Sequence, residues 1–352
     1  MSQKSTVAVI TSKKTGRGTK RAGYGKVIGS ILATPRYHYD TATLRELDVA
    51  VAKIARDRPD IVVCASGDGG LKEVVTRVIN GYEGAPLPLF ALIRGGTMNV
   101  VAQTLGVTRL PAPDFAKMLA AKLEIQRLGG SAPFETKQLT PLRIGDKYGF
   151  MYGAGIPVNI LQEYEKANYH CEDVDACGYK CPWAAGSQMK ECPKCAKKLV
   201  KDGLGPRRAL SVLLSALLSR GLRKRLVKPV HAKITLPDSH DPPVASFMTH
   251  TGLMVSTVDQ LGMGMRGMPQ AMSTPGHFML RSTQLGFWQF LAPTTLGALW
   301  TGLPLPKTFD AVVPKMEIEY ERPTERTLDG DFLPPTTSET IQCGPSLTFI
   351  TG

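Results

Sequence analysis

Apolar runs and helix-like periodic segments alternate along the first third of the chain. Short apolar runs at Val7–Ile10 and Leu89–Ile93, and one that begins at Ile61, have the length of buried strands. A further strand is predicted near Lys26–Leu32, and Thr43–Arg56 is predicted to form a helix. Strands that alternate with helices in this way indicate a parallel sheet of the α/β class.

The helix predicted at Thr43–Arg56 has both a start signal and an apolar face. Thr43 stands at the N-cap position, and Glu46 stands at the capping-box position three residues later. Four apolar residues share a helical spacing, namely Leu44, Leu47, Val51 and Ile54. We therefore expect an amphipathic helix here.

The pattern changes after Gly129-Gly130, where we place the end of the first domain, residues 1–130. The second domain, residues 131–352, is predicted to be antiparallel and β-sandwich-like. Its expected strands are Thr140–Ile144, Lys147–Tyr152, Val230–Leu236, Ala245–Val255, Ala311–Tyr320 and Thr340–Ile350. Two helical stretches, Pro206–Arg225 and Gly286–Trp300, interrupt these strands.

Composition and charge exclude some classes of protein. The chain has 352 residues, 43% of them hydrophobic and 7% aromatic, which is typical of a folded globular protein and not of a disordered one. The formal net charge of +13 favours a polyanionic partner, such as nucleic acid, nucleotide phosphate or an anionic membrane. Neither a run of about 18 apolar residues nor a signal peptide after Met1–Thr6 is present, so we expect a cytoplasmic protein.

Two glycine-rich turns follow two of the predicted strands. Ser66-Gly67-Asp68-Gly69-Gly70 follows the run at Ile61, and Gly95-Gly96-Thr97-Met98-Asn99 comes shortly after Leu89–Ile93. In a parallel sheet both turns lie at the carboxyl edge, where α/β folds bind their ligands. Backbone amides in such turns can bind phosphate, and the Asp68 carboxylate suits Mg²⁺. Either turn alone could also be a tight connection without a ligand.

The two turns together resemble the paired signature of the diacylglycerol kinase catalytic family, which includes bacterial lipid kinases and sphingosine kinases. The resemblance continues in the same order along most of the chain. It takes in the opening strand, the basic loop Lys13-Lys14-Thr15-Gly16-Arg17-Gly18, Gly262-Met263-Gly264-Met265-Arg266 and Leu328-Asp329-Gly330-Asp331.

The resemblance implies an ATP- and Mg²⁺-dependent lipid kinase with a nucleotide-binding first domain and a lipid-substrate second domain. It implies that Asp68 and Asp331 contact the metal or its waters, and that Asp329 is the general base brought across an interdomain cleft. The acceptor would be a hydroxyl of a lipid such as diacylglycerol or a sphingoid base. The implied nucleotide contacts are Lys13, Arg17, Ser66, Gly67, Asp68, Gly69, Gly70, Glu73, Gly95, Gly96, Thr97, Asn99 and Asp331.

Several positions depart from the family pattern and leave alternatives open. Thr11-Ser12 stands where the family usually has Asn-Pro, Arg94 replaces a proline, Lys72 replaces an asparagine, and Asp331 replaces a glutamate. The Asp329-Gly330 pair is also a common hairpin turn. Glu73 could equally be a solvated carboxylate at a helix N-terminus. A kinase of a soluble alcohol and a regulator with weakened catalysis therefore stay open.

A cysteine-rich insert, residues 168–205, lies outside the family pattern. Cys177, Cys181, Cys192 and Cys195 form two short knuckles separated by ten residues, which is zinc-ribbon-like spacing for a structural Zn²⁺ site. His170 and Cys171 are alternative ligands. The insert is either a metal-stapled loop or a small interaction or nucleic-acid-binding module.

The segment Pro206–Pro229 contains seven basic residues and no acidic residue, with leucines between them. Such a helix could lie on anionic lipid, or it could pack on the β domain. Phe287–Leu305 allows the same two interpretations, and an acyl-chain pocket as a third. We expect a lipid substrate and peripheral binding at the inner membrane surface, while nucleic acid is a less favoured partner and a homodimer is an open alternative.

Overall fold

The chain folds into two compact units in a computed structural model that describes residues 6–12, 24–32, 37–95, 98–107, 111–171, 199–201, 205–237, 247–262 and 264–352. The first unit comprises Met1–Met151, Ser256–Met279 and Ile341–Gly352, and the second comprises Tyr152–Val255 and Leu280–Thr340. Within the described ranges, no helix is both long enough and apolar enough to cross a membrane.

The first unit contains the alternating strands and helices that the sequence predicts. Its strands are β1 (Val7–Ser12), β2 (His38–Thr41), β3 (Ile61–Ser66), β4 (Leu89–Arg94), β5 (Thr136–Leu139), β6 (Leu142–Ile144), β7 (Lys147–Gly149) and β18 (Leu347–Ile350). Its helices are α1 (Tyr24–Leu32), α2 (Leu44–Asp57), α3 (Asp68–Tyr82), α4 (Val100–Thr104) and α5 (Ala112–Arg127).

Six of these strands form one sheet in the order β2-β1-β3-β4-β18-β5. The first five strands in that order run parallel, and β5 is antiparallel to β18. The central strands β1, β3 and β4 are buried over most of their length, as expected for a parallel sheet with helices on both faces. The predicted α/β class of the N-terminal part is therefore confirmed.

The helix start predicted at Thr43 is confirmed, with one change on its apolar face. The Thr43 hydroxyl accepts a hydrogen bond from the Glu46 amide, while the Glu46 carboxylate accepts one from the Ala42 amide. Leu47, Val51 and Ile54 are buried, but Leu44, in the first turn, is 56% exposed.

The strand predicted near Lys26–Leu32 is wrong, because this segment is helix α1. Its apolar residues fall in neighbouring pairs, Val27-Ile28 and Ile31-Leu32, which is the spacing of one helix face. Gly29 allows α1 to pack directly on β2, since a Cβ atom there would lie 2.5 Å from the His38 ring. The strand that pairs with the outer edge of β1 is β2, which follows α1 in the sequence.

The C-terminal strand also lies elsewhere than predicted. Of the expected strand Thr340–Ile350, the last four residues form β18, which inserts between β4 and β5 in the parallel sheet. Phe349 packs against Phe90, with ring centroids 5.6 Å apart. The first unit also takes in residues 131–151, 256–279 and 341–352, beyond the residues 1–130 predicted for the first domain.

The second unit is built mainly from antiparallel strands. These are β8 (Met151–Gly155), β9 (Tyr169–Cys171), β10 (Leu199–Lys201), β11 (Val230–Thr235), β12 (Met248–His250), β13 (Gly252–Ser256), β14 (Phe278–Thr283), β15 (Thr308–Val313), β16 (Lys315–Leu328) and β17 (Asp331–Cys343). The main path of pairing is β15-β14-β13-β8-β16-β17, and β11 pairs with β16 and β12. The antiparallel sheet predicted for the C-terminal part is thus confirmed, and β14 is a strand that the sequence did not reveal.

The described part of the second unit contains five helices, namely α6 (Ile156–Asn168), α7 (Gly205–Leu218), α8 (Arg220–Leu226), α9 (Phe287–Leu291) and α10 (Pro293–Thr301). Val212 and Ala216 of α7 pack with Leu222 and Leu226 of α8 and with Phe287. Both helical stretches predicted from the sequence are therefore present, each divided into two helices.

Buried polar pairs connect strands inside the second unit. The Arg281 side chain, 2% exposed, donates two hydrogen bonds to Asp310 at 2.8 and 2.7 Å. Arg326 forms an ion pair with Glu339 at 2.6 Å, and the hydroxyls of Tyr152 and Tyr320 share a hydrogen bond. Pairing of this kind offsets part of the cost of burying the Arg281, Arg326 and Glu339 charges.

The cysteine insert falls largely outside the described residues. Strands β9 and β10 pair antiparallel on either side of it, with Cys171 opposite Leu199 and Tyr169 opposite Lys201. Cys177, Cys181, Cys192 and Cys195 all lie in residues 172–198, which the structure does not describe. The two ends of this segment are therefore held together by a short ladder.

Candidate active site

The two glycine turns lie side by side at the carboxyl edge of the parallel sheet. Ser66 at the end of β3 is paired with Arg94 at the end of β4, and the Gly95 amide donates to the Ser66 carbonyl at 3.1 Å. A small cavity at this edge is lined by Ser66, Asp68, Arg94 and Asn99, among other residues. The adjacency expected from the sequence is thus present within the first unit.

Asp68 is the first residue of α3 and faces the start of α4. Its Oδ1 atom accepts a hydrogen bond from the Val101 amide at 3.3 Å. Burial raises the pKa of the Asp68 carboxyl above its ordinary value, while backbone hydrogen bonds from Val100, Val101 and Asn99 oppose this change. The carboxylate therefore lies between two helix N-termini, which favour negative charge.

The N-cap residues of α3 and α4 do not cap their own helices, and the Asp68 side chain accepts from the start of α4 instead. Gly67 is the N-cap of α3 and Asn99 the N-cap of α4, and neither makes a side-chain capping hydrogen bond. The first amides of a helix have no acceptor within the helix; those of α4 meet the Asp68 carboxylate, and the start of α3 can donate to a further anion. Asn99 has φ of 48°, a left-handed conformation that asparagine tolerates better than most residues.

Gly70 allows helix α3 to start close to strand β3. A Cβ atom at residue 70 would lie 2.7 Å from both the Cβ and Oγ atoms of Ser66. Such a distance is far shorter than a van der Waals contact, so any larger side chain would push α3 away from the strand. Glycine at this position therefore holds Asp68 near the sheet edge.

Four of the predicted nucleotide contacts lie outside the described residues. They are Lys13 and Arg17 in the basic loop, and Gly96 and Thr97 in the second turn. Their roles stay predictions.

Glu73 lies in an ion-pair network on one side of α3. Its carboxylate contacts Lys72 at 3.1 Å and also pairs with Arg77, which in turn contacts Asp48 of α2 at 2.5 Å. Burial alone would raise the pKa of Glu73, but the neighbouring Lys72 and Arg77 outweigh it and lower the pKa. The network links α2 to α3, and a nucleotide contact by Glu73 stays a prediction.

A polar cluster that the sequence did not reveal lies at the ends of β1 and β2. The buried Thr11 hydroxyl donates to Asp40 at 3.0 Å and lies 3.2 Å from His38 Nε2, and Thr41 donates to the Thr11 carbonyl. Thr11, which departs from the family's asparagine, thus holds β2 against β1. The alternation in Tyr37-His38-Tyr39-Asp40 was the signal that could have located this strand.

The Gly262–Arg266 motif packs against the second glycine turn. Gly262 has φ of 98°, and a Cβ atom there would lie 2.2 Å from the Met98 side chain. The Met265 amide donates to the Gly262 carbonyl at 3.0 Å, and Arg266 pairs with Asp259 at 3.2 Å. The structure therefore brings Gly262 next to Met98, a contact that the sequence alone did not predict.

Asp329 and Gly330 form a two-residue hairpin turn between β16 and β17 in the second unit. Their φ values are 50° and 84°, and positive φ at both central residues is the type I′ hairpin geometry. The Thr327 hydroxyl donates to the Asp331 carbonyl at 3.1 Å across the turn. Asp329 is half-buried and Asp331 is exposed. The hairpin is thus present, and the catalytic roles of both aspartates stay predictions.

The described side chains around Asp68 are too few to hold a metal by protein ligands alone, but they suit a Mg²⁺ ion that is also bound by substrate phosphates. Among the described residues, no group of three or more histidine, cysteine or acidic side chains could hold a metal. Mg²⁺ usually keeps several waters and binds one or two carboxylates together with substrate phosphates. The Asp68 carboxylate beside the N-terminus of α3 meets that requirement.

Comparisons with known proteins agree with the resemblance seen in the sequence. The sequence model described as the diacylglycerol kinase catalytic domain matches residues 6–128. No curated protein matches the chain significantly.

Two similar crystal structures are of proteins from Bacillus anthracis str. Sterne. One, described as a candidate diacylglycerol kinase, has a TM-score of 0.61 and 16% identity, and the match covers 100% of this chain and 97% of the other. Another, described as a diacylglycerol kinase, has a TM-score of 0.57 and 15% identity, with 99% and 97% covered. At such identity the likeness concerns the fold alone. Residues 6–128 therefore carry the diacylglycerol kinase catalytic-domain signature, which confirms the resemblance to that family, and the whole chain has the matching fold.

Proposed function

We propose that the protein is an ATP- and Mg²⁺-dependent kinase that phosphorylates a hydroxyl group of a lipid, such as diacylglycerol or a sphingoid base. The placement of Asp68 carries this proposal. Its carboxylate lies in the first turn of α3, whose N-cap Gly67 offers no side-chain acceptor, and accepts from the Val101 amide of α4, so a phosphate and a divalent cation are favoured together beside it. The match of residues 6–128 to the catalytic-domain model supports the same chemistry.

Each candidate group has a separate task in this reaction. The amides at the start of α3 would bind phosphate oxygens, and Asp68 would hold a Mg²⁺ ion, which would supply positive charge to the triphosphate. The acceptor hydroxyl oxygen attacks the γ-phosphorus atom, and the bond to the bridging oxygen breaks to release ADP. The hydroxyl proton passes to the carboxylate of Asp329.

The type I′ turn suits Asp329 for the task of a base. A two-residue turn between long strands fixes the backbone of Asp329, and the Thr327 bond to Asp331 closes the turn. A base held in one position loses little entropy when the hydroxyl arrives. Asp331 keeps its carboxylate exposed, so it can contact the metal-bound waters after nucleotide binds.

Labelled ATP and a panel of diacylglycerol, monoacylglycerol, sphingoid bases and phospholipids test the proposal. We expect one lipid class to be phosphorylated, and Asp68→Asn to abolish the transfer. Asp329→Asn should lower the rate by about 10²–10⁴, the usual contribution of a general base. Asp114→Asn is the matched control, because Asp114 is an exposed aspartate in the first turn of α5. Full activity of Asp68→Asn would exclude this site.

We also propose that the insert binds a structural Zn²⁺ through Cys177, Cys181, Cys192 and Cys195. The knuckle spacing and the β9–β10 ladder at its base support this, since a short loop with closed ends needs little further order to bring four thiolates together. Elemental analysis of the purified protein should find one zinc per chain, and Cys192→Ser should lose it. Cys343→Ser, at a free cysteine outside the insert, should keep it.

A further inference from the structure

Helix α7 has apolar side chains on two opposite faces. Val212 and Ala216 point into the core of the second unit with Leu222 and Phe287. On the other side, Leu214, Leu217 and Leu218 are spaced as one helical stripe but are 53%, 40% and 92% exposed. A stripe with this spacing is normally buried, so its exposure indicates a surface that is covered when the protein works.

Trp288 of α9 extends this apolar surface. It is 61% exposed, and the Arg223 guanidinium lies 5.3 Å from its ring centroid. Arg223 also donates to the carbonyls of Ala216 and Leu217 at the end of α7. One arginine thus joins the C-terminal end of the leucine stripe to the tryptophan, and the four residues Leu214, Leu217, Leu218 and Trp288 form an apolar patch around it.

Basic side chains border the apolar patch. Arg220, Lys224 and Lys228 are exposed, and none has an acidic partner within ion-pair distance among the residues that the structure describes. The nearby Glu163 is already paired with Arg225 at 3.0 Å. No acidic residue occurs in the sequence from 203 to 237. The border therefore carries a net positive charge.

We propose that this apolar patch and its basic border dock on an anionic phospholipid bilayer. Leucines and an amphipathic tryptophan suit the boundary between headgroups and acyl chains, and the arginine and lysine side chains suit the phosphate layer. A second copy of the chain fits less well, because a two-fold contact would bring identical positive borders together. Nucleic acid would use the basic residues but would leave the leucine stripe exposed.

Docking on a bilayer rests on the proposed function, since a kinase that acts on a membrane lipid must reach that lipid in the membrane. Flotation with vesicles tests the docking separately, because it requires no catalysis. Each lysine or arginine near an anionic surface contributes about fivefold to binding. Arg220→Gln with Lys224→Gln should therefore weaken binding to phosphatidylcholine vesicles that contain phosphatidylglycerol by about 25-fold. The matched control is Arg45→Gln with Lys53→Gln on the exposed side of α2, which should bind like the wild type.

The apolar part of the patch has its own variant. Leu217→Ser with Leu218→Ser should reduce flotation with the same vesicles while the circular dichroism spectrum and melting temperature stay unchanged, because both side chains are exposed. Wild-type flotation of both double variants would overturn the proposal. A second copy of the chain would be the partner instead if the wild type does not float with vesicles, self-associates in sedimentation, and loses this self-association in Leu218→Ser. If flotation behaves as expected but no lipid is phosphorylated, only the proposed function fails.

Discussion

Replacement of Asp68 by asparagine should stabilise the protein at neutral pH while it removes activity. Burial raises the pKa of the Asp68 carboxyl above its ordinary value of 3.8, so the folded state pays a penalty for ionising it that the unfolded chain does not. Asparagine has no charge to desolvate, and its Oδ1 atom can still accept from the Val101 amide. The wild type should therefore be less stable than Asp68→Asn wherever Asp68 is ionised.

The sign and size of this effect follow from proton linkage. Between pH 3.8 and the raised pKa, the folded state holds a proton that the unfolded chain releases, so the unfolding free energy of the wild type falls as the pH rises. Above the raised pKa the difference from Asp68→Asn is constant. It amounts to about 1.4 kcal/mol for each pH unit by which the pKa is raised.

Urea unfolding of both proteins without nucleotide, from about pH 4 to about pH 8, measures this difference. With an m-value of about 3 kcal/mol per molar, a 1.4 kcal/mol gain moves the midpoint by about 0.5 M. Tryptophan fluorescence is not a local probe of the first unit, because the three tryptophans, at positions 183, 288 and 300, lie outside it. Hydrogen exchange of the α3 amides is the suitable local probe.

Asp68→Ala separates charge from hydrogen bonding. It removes the acceptor of the Val101 amide, so it should be less stable than Asp68→Asn by about 1–3 kcal/mol. The reasoning is refuted if Asp68→Asn is less stable than the wild type at pH 7 and the gap closes as the pH is lowered. The ionised carboxylate would then stabilise the fold, and the helix N-termini would outweigh burial.

Three further predictions concern the second unit and the β6–β7 turn. Gly155→Ala should strongly destabilise the protein, because Gly155 has φ of 70° and the new Cβ atom would lie 2.4 Å from the Thr251 carbonyl oxygen. Gly145 has φ of 60° but open space around it, so Gly145→Ala should lower the free energy of unfolding by only about 1–2 kcal/mol in melting experiments. Arg326→Met should lower the unfolding free energy by about 3–5 kcal/mol by leaving the Glu339 carboxylate buried, and Glu339→Met added to it should recover most of the loss. Burial lowers the pKa of His250, so stability should fall as the pH drops below 6.5, and His250→Gln should flatten this pH dependence in urea titrations.

The parallel sheet and its glycine turns were predictable because local signals agree there. The runs at Ile61 and Leu89 are continuous apolar strands, and each is followed by glycines that only a turn would favour. The capping residues Thr43 and Glu46 likewise act within one turn of helix, so tertiary contacts do not alter them.

Helix α1 and strand β18 were not predictable from local patterns. The segment Lys26–Leu32 is apolar and short, so its period cannot separate helix from strand, and packing of Gly29 on His38 decides between them. Leu347–Ile350 looks like any antiparallel strand, and its position depends on pairing with β4, more than 250 residues earlier in the sequence.

The contacts around the candidate site could also not be predicted from the sequence. The turn at Asp329 carried a hairpin signal, and the structure has that hairpin. In contrast, the Val101 amide that contacts Asp68 lies 33 residues away, and the pairing of Arg77 with both Glu73 and Asp48 depends on how α2 packs on α3. Such contacts are products of the fold, so no local pattern contains them.

The position of β18 between β4 and β5 has a consequence for synthesis of the protein. When the ribosome has made Asp68 and both glycine turns, the edge of β4 has no partner, because β18 lies at residues 347–350. Contacts of such long sequence separation form late and slowly. The nascent first unit therefore exposes an unpaired apolar strand until residues 347–350 have been made, and a chaperone that shields strand edges would act on it throughout that interval.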